Sequence, residues 1–337
     1  MDKILEINNL VTSFSISRKF YPAVDGISLE IYKNEVLAIV GESGSGKSAM
    51  AMSIMQLLNP NYSKIEGSVI FNGKELIGMK EKALNKVRGS GISMIFQDAL
   101  SALNPLMRIG EQIEESLLYH TTLNKEARTQ RAVELLGKVG IVNPELVHNQ
   151  YPHELSGGMR QRAMIAISIA ANPEILIADE PTTALDVTIQ SQILDLLRQL
   201  QKDIGSSIIL ITHDLGVVAE MATRVAVMYG GQIVEIAPVL EIFENPRHPY
   251  TRSLLASIPH INQSGKRLNA IRGMVPSLKY MPRSGCRFAD RTPWLSKEIH
   301  EKEPTYHEVG VGHKVLCTCY KSFYFENEEK TKNGGVL

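Results

Sequence analysis

Two stretches of the chain carry residue types that do phosphate chemistry. The apolar run Glu35 to Val40 reads as a buried strand, followed by Gly41-Glu42-Ser43-Gly44-Ser45-Gly46-Lys47-Ser48 and a helical run from Ala49 to Leu58. Glycines let successive backbone N–H groups turn inward around an anion, and the helix start adds the positive end of its dipole. In this strand-to-helix setting, Gly41, Ser43, Gly44, Ser45 and Gly46 form the cradle and Lys47 reaches the β- and γ-phosphates, while Ser48 offers its hydroxyl to Mg²⁺. The second stretch, Ile175-Leu-Ile-Ala-Asp179-Glu180, is an apolar strand that ends in two carboxylates. In an open α/β sheet that end faces the ligand crevice. Asp179 is therefore placed to help hold Mg²⁺, and Glu180 to polarise an attacking water as general base. Ser156, Gly157 and Gly158 precede an apolar helix and make another anion-accepting helix start, so one chain carries two half-sites.

These residues need elements to position them. Residues 4–97 alternate strand and helix signals, with Gly67 to Gly73 reading as a short strand entering an Asn-Gly turn. From Asp98 to about Met164 the pattern is helical, over Ile109 to Tyr119, Lys125 to Gly140 and from Pro144 onward. Strands return at Ile175 to Ala178, Ser207 to Ile211 and Arg224 to Met228. The pattern predicts a helical insertion inside an α/β core. The polar tail after Glu326 is predicted to be disordered.

Composition narrows the function classes. A length of 337 residues allows one large domain or two. Lys plus Arg and Asp plus Glu are equal at 36 each, so no global field recruits nucleic acid or anionic lipid. Met1-Asp2-Lys3 opens no basic-then-apolar segment, so secretion is not expected. The apolar run Met164 to Ala171 soon meets Asn172-Pro173, as in a core helix rather than a membrane span. The expectation is a soluble cytosolic subunit whose membrane work is done by partners.

From Ile4 to Ile236 the chain resembles the ATP-binding cassette family. Leu155-Ser-Gly-Gly-Met159-Arg-Gln-Arg resembles its signature motif, with Met where many members have Gln. Thr183-Ala-Leu-Asp186 is similar to the D-loop, with Thr in place of Ser, and Ile208-Ile-Leu-Ile-Thr-His213-Asp to the switch strand. Gln97, ending Ile92-Ser-Met-Ile-Phe96, matches the Q-loop glutamine. Phe14 sits where the family places an adenine-stacking aromatic, with Phe20 and Tyr21 close enough to compete. The resemblance implies an α/β, P-loop NTPase (RecA-like) core with N-terminal antiparallel β strands, an α-helical subdomain insertion and a small C-terminal extension. The nucleotide-binding domain would span 4–236, with core segments 4–97 and 165–236 around a helical subdomain at 98–164. An extension at 237–325 and a tail at 326–337 would follow.

The same resemblance implies a mechanism. Two subunits close head to tail on ATP, the Ser156-Gly157-Gly158 signature of one covering the phosphate loop of the other, with Asp186 of the D-loop among the nucleotide-binding residues. His213 contacts the γ-phosphate and holds the attacking water with Glu180, while Gln97 joins Ser48 and Asp179 around Mg²⁺. A groove lined by Gln97 to Ile113 would receive a short cytoplasmic helix of a membrane subunit.

The C-terminal hundred residues resemble the ATPases of peptide and nickel importers, over Glu244 to Pro259 and from Gly285 to Val315. This resemblance implies the first of two unlike ATPase subunits in a di- or oligopeptide importer. The partners implied are a homologous second ATPase subunit, two membrane permease subunits and, indirectly, an extracellular substrate-binding protein, with no nucleic acid. The chain would lie peripherally on the cytoplasmic face of the membrane. A homodimer and a nickel or metal-chelate cargo are the competing readings. A soluble cassette acting on nucleic acid or the ribosome usually joins two cassettes or inserts long coiled coils, and neither is present. Many such importers carry four cysteines in this extension, suited to an iron–sulfur cluster. Here Cys286, Cys317 and Cys319 remain, with Thr292 and His300 where relatives often have cysteine. A Cys₃His set using His300 stands against three reduced cytosolic thiols, and Cys317-Thr-Cys319 is tighter than an ordinary C-x-x-C pair. His307 and His313 are expected to be surface or packing residues.

Overall fold

A computed structural model of the chain describes residues 2–183, 186–258 and 271–326. Ala184 and Leu185 of the expected D-loop, Pro259 and the tail from 327 lie outside the described residues. In chain order the strands are β1 Lys3–Ile16, β2 Lys19–Tyr32, β3 Val36–Val40, β4 Ser63–Phe71, β5 Lys74–Glu75, β6 Ile92–Ile95, β7 Ile175–Asp179, β8 Ser207–Thr212, β9 Arg224–Tyr229, β10 Gln232–Pro238, β11 Tyr306–Gly310 and β12 His313–Leu316. The helices are α1 Lys47–Ile54, α2 Glu81–Val87, α3 Ala99–Ala102, α4 Ile109–His120, α5 Lys125–Lys138, α6 Pro144–His148, α7 Gly157–Ile169, α8 Val187–Ile204, α9 Leu215–Met221, α10 Val239–Glu244 and α11 Pro249–Ala256.

Strands β3, β6, β7 and β8 are buried along their whole length, as parallel strands covered on both faces must be. They lie in an eight-stranded sheet of order β11-β12-β10-β9-β3-β8-β7-β6. The five strands from β9 to β6 are parallel; β10, β12 and β11 extend the sheet antiparallel. Alternate side chains feed opposite cores. Ile175, Ile177, Ile209 and Ile211 pack with Met50 and Ile54 of α1 and with Leu5, Ile7 and Leu10 of β1. Leu176, Ala178, Ile208 and Leu210 pack with the helices that follow β6. A second, antiparallel sheet of order β2-β1-β4-β5 covers α1 from outside.

Register sets the site. Val40 pairs with Thr212, Asp179 with Ile211 and Ile95 with Ala178, so the carboxyl ends of β3, β8, β7 and β6 finish level. Whatever follows each strand must meet at one edge. Helix α1 is shorter than expected, ending at Ile54, because Gln56 turns left-handed at φ 52° and Pro60 follows. The C-terminal extension does not stand apart from the core. Val315 and Lys314 of β12 pair with Glu235 and Ile236 of β10, which adds the extension to the main sheet.

Candidate functional site

The phosphate loop leaves β3 and enters α1 through Gly46, whose φ of 104° is left-handed. A Cβ there would lie 2.4 Å from the Ala23 carbonyl oxygen, so the close approach of β2 to the loop requires glycine. Lys47 is buried and its Nζ donates to the carbonyls of Gly41 at 2.7 Å and Glu42 at 3.1 Å. Burial pulls the Lys47 pKa down against the carboxylates of Glu180, Asp179 and Glu42. Ser45 is fully buried and its hydroxyl has no hydrogen-bond partner among the described residues, whereas Ser43 and Gly44 face solvent. Such an orphaned buried hydroxyl suits a ligand with acceptor oxygens.

Across the edge, Ser48 Oγ donates to Asp179 Oδ1 at 3.1 Å, which brings together two hard oxygen ligands of the kind Mg²⁺ takes. Burial raises the Asp179 pKa, with the Glu180 charge, against the hydrogen bond from Ser48 and the charge of Lys47, and a cation bound there would favour the ionised form. Glu180 follows at φ 46°, and its strained turn lifts the side chain off the strand. Glu180 Oε2 accepts from Gln97 Nε2 at 3.0 Å and from Thr183 Oγ1 at 2.8 Å, and Oε1 lies 3.3 Å from His213 Nδ1. Burial pushes the Glu180 pKa up, but the hydrogen bonds from Thr183 and His213 and the charges of His213 and Lys47 outweigh it and hold the carboxyl below its ordinary value. Glu180 is therefore a carboxylate at neutral pH, the form a general base needs. The structure thus unites Lys47, Ser48, Gln97, Asp179, Glu180 and His213; Thr183, read in the sequence only as the start of the D-loop, joins them by its hydrogen bond to Glu180.

The remaining predicted residues are elsewhere. Ser156 caps α7, accepting from Met159 N at 3.3 Å, and with Gly157 is exposed. Gln161, one turn on, donates to the Pro181 carbonyl at 2.7 Å and ties α7 to the loop after Glu180. Asp186 caps α8 by accepting from Ile189 N at 2.9 Å. Phe14 is half-buried opposite Tyr21 on β2. A cleft of about 470 Å³ opens beside Gly44, lined by Ile16, Val275, Lys279 and Tyr280, and among these the aromatic comes from the extension.

A family model described as "ABC transporter" matches residues 24–183, and one described as "Oligopeptide/dipeptide transporter, C-terminal region" matches residues 234–298. The chain is 50% identical over 337 residues to the "Oligopeptide transport ATP-binding protein OppD" of Lactococcus lactis subsp. cremoris (strain SK11), covering 99% of this chain and 98% of that protein. The chain belongs to the ABC transporter family. It is also similar to the OppD of Bacillus subtilis (strain 168), 53% identical over 316 residues, 93% of this chain and 88% of that protein. Among solved structures it resembles "Dimeric structure of a post-hydrolysis state of the ATP-binding cassette MJ0796 bound to ADP and Pi", with TM-score 0.63, 29% identity, and coverage of 70% of this chain and 99% of that one. Membership makes this an ATP-binding, ATP-hydrolysing subunit of a membrane transporter. Among the described residues no helix is long and apolar enough to cross a membrane.

The ABC cassette is braced by contacts its motifs do not announce. Arg291, buried in the extension, grips the Glu42 carboxylate with both terminal nitrogens, at 2.6 and 3.2 Å, and donates to the carbonyls of Arg272 and Gly273. Buried Tyr250 accepts from Glu42 N at 2.8 Å. Arg287 donates to Gly230 O and to the Asp25 carboxylate, beside the turn whose Gly231 N–H holds Ser45 O at 2.9 Å. Glu235, fully buried in β10, accepts from the backbone of Arg247 and His248 and lies 2.7 Å from His313 Nε2, so His313 is a buried packing residue hydrogen-bonded to Glu235 and not a surface one. His307 lies on β11, 2.6 Å from Glu301 Oε1. The signal for the node was present: one glutamate interrupts Ile233-Val-Glu235-Ile-Ala237. Cys286, His300, Cys317 and Cys319 converge as well, their ligand atoms within 4.8 Å of one another. Thr292 stays out of that group and donates to the Ala289 carbonyl.

Proposed function

We propose that this chain powers uptake of di- and oligopeptides, as the first of two unlike ATPase subunits that sit on two membrane permease subunits served by an external receptor. The identity that carries the reading is near full length: it extends through residues 234–298, beyond the cassette that all transporters of this family share. In this reading ATP lies along the phosphate loop, with its base toward the cleft of Ile16 and Tyr280. Ser48, Asp179 and Gln97 hold Mg²⁺, which when bound neutralises phosphate charge. Glu180 takes the proton of the attacking water, oriented by Gln97 and His213, and Thr183 keeps its carboxylate ionised. The exposed signature at Ser156 then closes on the nucleotide of a second subunit, joined by Asp186. The domain division at 4–236 and 237–325 is part of the same proposal.

The docking surface for the permease is the face after Gln97. Leu100 is 58% and Leu106 86% exposed, unusual for leucine, and Ala102 and Leu103 between them in the chain line a cleft of about 270 Å³ with Leu57, Phe96 and Met164. Apolar side chains left in solvent at the junction of core and helices support the seating of a short amphipathic segment there.

Uptake of labelled di- and oligopeptides, beside nickel, by cells carrying wild-type chain or Glu180→Gln tests the reading. Loss of peptide uptake in the variant supports it. Intact peptide uptake with lost nickel uptake moves the cargo to the metal branch and leaves the ATPase chemistry standing.

A further inference from the structure

We infer that Cys286, His300, Cys317 and Cys319 hold one zinc ion as a closed structural site, and not the iron–sulfur cluster that the four cysteines of many relatives suit. Geometry separates the two. A tetrahedral zinc with Zn–S of about 2.3 Å sets its thiolates roughly 3.8 Å apart. A cluster spreads its ligands over several irons, so its cysteine sulfurs stand on the order of 6 Å apart. All four ligand atoms here lie within 4.8 Å of one another, close to the edge of a mononuclear tetrahedron and too tight to wrap a cluster.

The donor set agrees. Three thiolates and an imidazole satisfy zinc in a closed site, with no position left for substrate. Cys317 and Cys319 are buried and Cys286 partly so, as in a structural site. Cys317 bridges β12 and the turn Thr318–Lys321 at φ 71°, a left-handed conformation a cysteine adopts only when its surroundings impose it, and this kink accompanies the convergence of two sulfurs two positions apart. The Glu301 N–H donates to Cys317 Sγ at 3.3 Å, the kind of outer-shell hydrogen bond that orients a metal-bound sulfur. His300 Nδ1 is buried with no hydrogen-bond partner among the described residues, an imidazole nitrogen in want of one.

The position gives the ion its task. Cys286 precedes the turn Ala289–Arg291, which carries the arginine that grips Glu42. Cys317 and Cys319 follow β12, which joins the main sheet. Zinc would therefore staple a region poor in regular structure to the sheet and hold Arg291 at the phosphate loop.

The test is the metal content of the full chain, purified without oxygen and then offered iron and sulfide. The expected result is roughly one zinc per chain with no acid-labile sulfide, and a tetrahedral thiolate spectrum when cobalt replaces zinc. Cys319→Ser and His300→Ala should each lose at least roughly tenfold in zinc affinity, and His300→Cys should retain the metal. Far-ultraviolet circular dichroism of each variant separates a lost ligand from a lost fold; if Cys319→Ser fails to fold, His300→Ala and the cobalt spectrum of the unaltered chain decide. Several irons with matching sulfide, or no metal in any preparation, would overturn the inference.

Discussion

The phosphate edge of the sheet and the C-terminal extension are two ways of holding a side chain in place. At the edge, a residue is positioned by the strand beneath it: level registers across β3, β8, β7 and β6 bring Lys47, His213, Glu180 and Gln97 together, and short polar links between neighbours finish the site. In the extension, strands are short, and position comes from specific polar ties such as Arg291 to Glu42 and His313 to Glu235. The first kind of site should tolerate loss of any one neighbour in structure while losing chemistry; the second should lose structure first.

Glu180→Gln probes the chemical side most severely. It keeps shape and removes the base, so steady-state ATP turnover should fall by about 10²–10⁴-fold while nucleotide binding persists, as read by equilibrium binding beside phosphate release. Unchanged turnover would remove Glu180 from the role given to it. Arg291→Ala sharpens the contrast by attacking the brace: it leaves Glu42 unpaired near the loop and should cost about 2–3 kcal/mol, below the fully buried range because Glu42 is partly exposed. A double-mutant cycle with Glu42→Gln, read by urea melts, should show the pair coupled; additive losses would show the brace to be idle.

The third probe is pH. Burial lowers His248 to about 4 against the pull of Glu235, so the folded chain keeps it neutral where the unfolded chain, near 6.5, takes a proton. Its contribution is therefore fully present above 6.5 and is lost as pH falls from 6.5 toward 4, with a slope of at most about 1.4 kcal/mol per pH unit. Melting temperatures of wild type and His248→Gln between pH 7.5 and 5 should converge; parallel curves would contradict the assignment. The smallest effect is expected from Tyr280→Ala, a several-fold rise in the Kd for ATP if one face of the base lies on that ring. An unchanged Kd would return the base to Phe14, Phe20 or Tyr21.

What was legible in the sequence follows the same division. The phosphate loop and the Asp179-Glu180 pair could be read because neighbours in sequence are neighbours in the site, with one strand fixing each, β3 the loop and β7 the pair. Gln97 and His213 needed the family pattern, since a lone glutamine or histidine after a strand says little by itself. Arg291, Tyr250 and Tyr280 could not be read at all, because their partners lie 249, 208 and more than 200 residues away and no periodicity links them. Of the two readings left open for His313, surface or packing, the structure takes packing; the sequence could not choose because its partner Glu235 lies 78 residues earlier. The pair Cys317 and Cys319 looked too tight only on the assumption of ordinary backbone angles.

The grip of Arg291 on Glu42 also has a consequence in time. The two residues are 249 positions apart, and a ribosome adding about 5–20 residues per second needs roughly 12–50 s to pass from one to the other. For that interval the nascent chain carries a phosphate loop whose Glu42 carboxylate lacks its arginine clamp. The loop is among the earliest parts to be made and among the last to be finished, so a truncated product ending before Arg291 is a cassette whose Glu42 carboxylate is left without its grip.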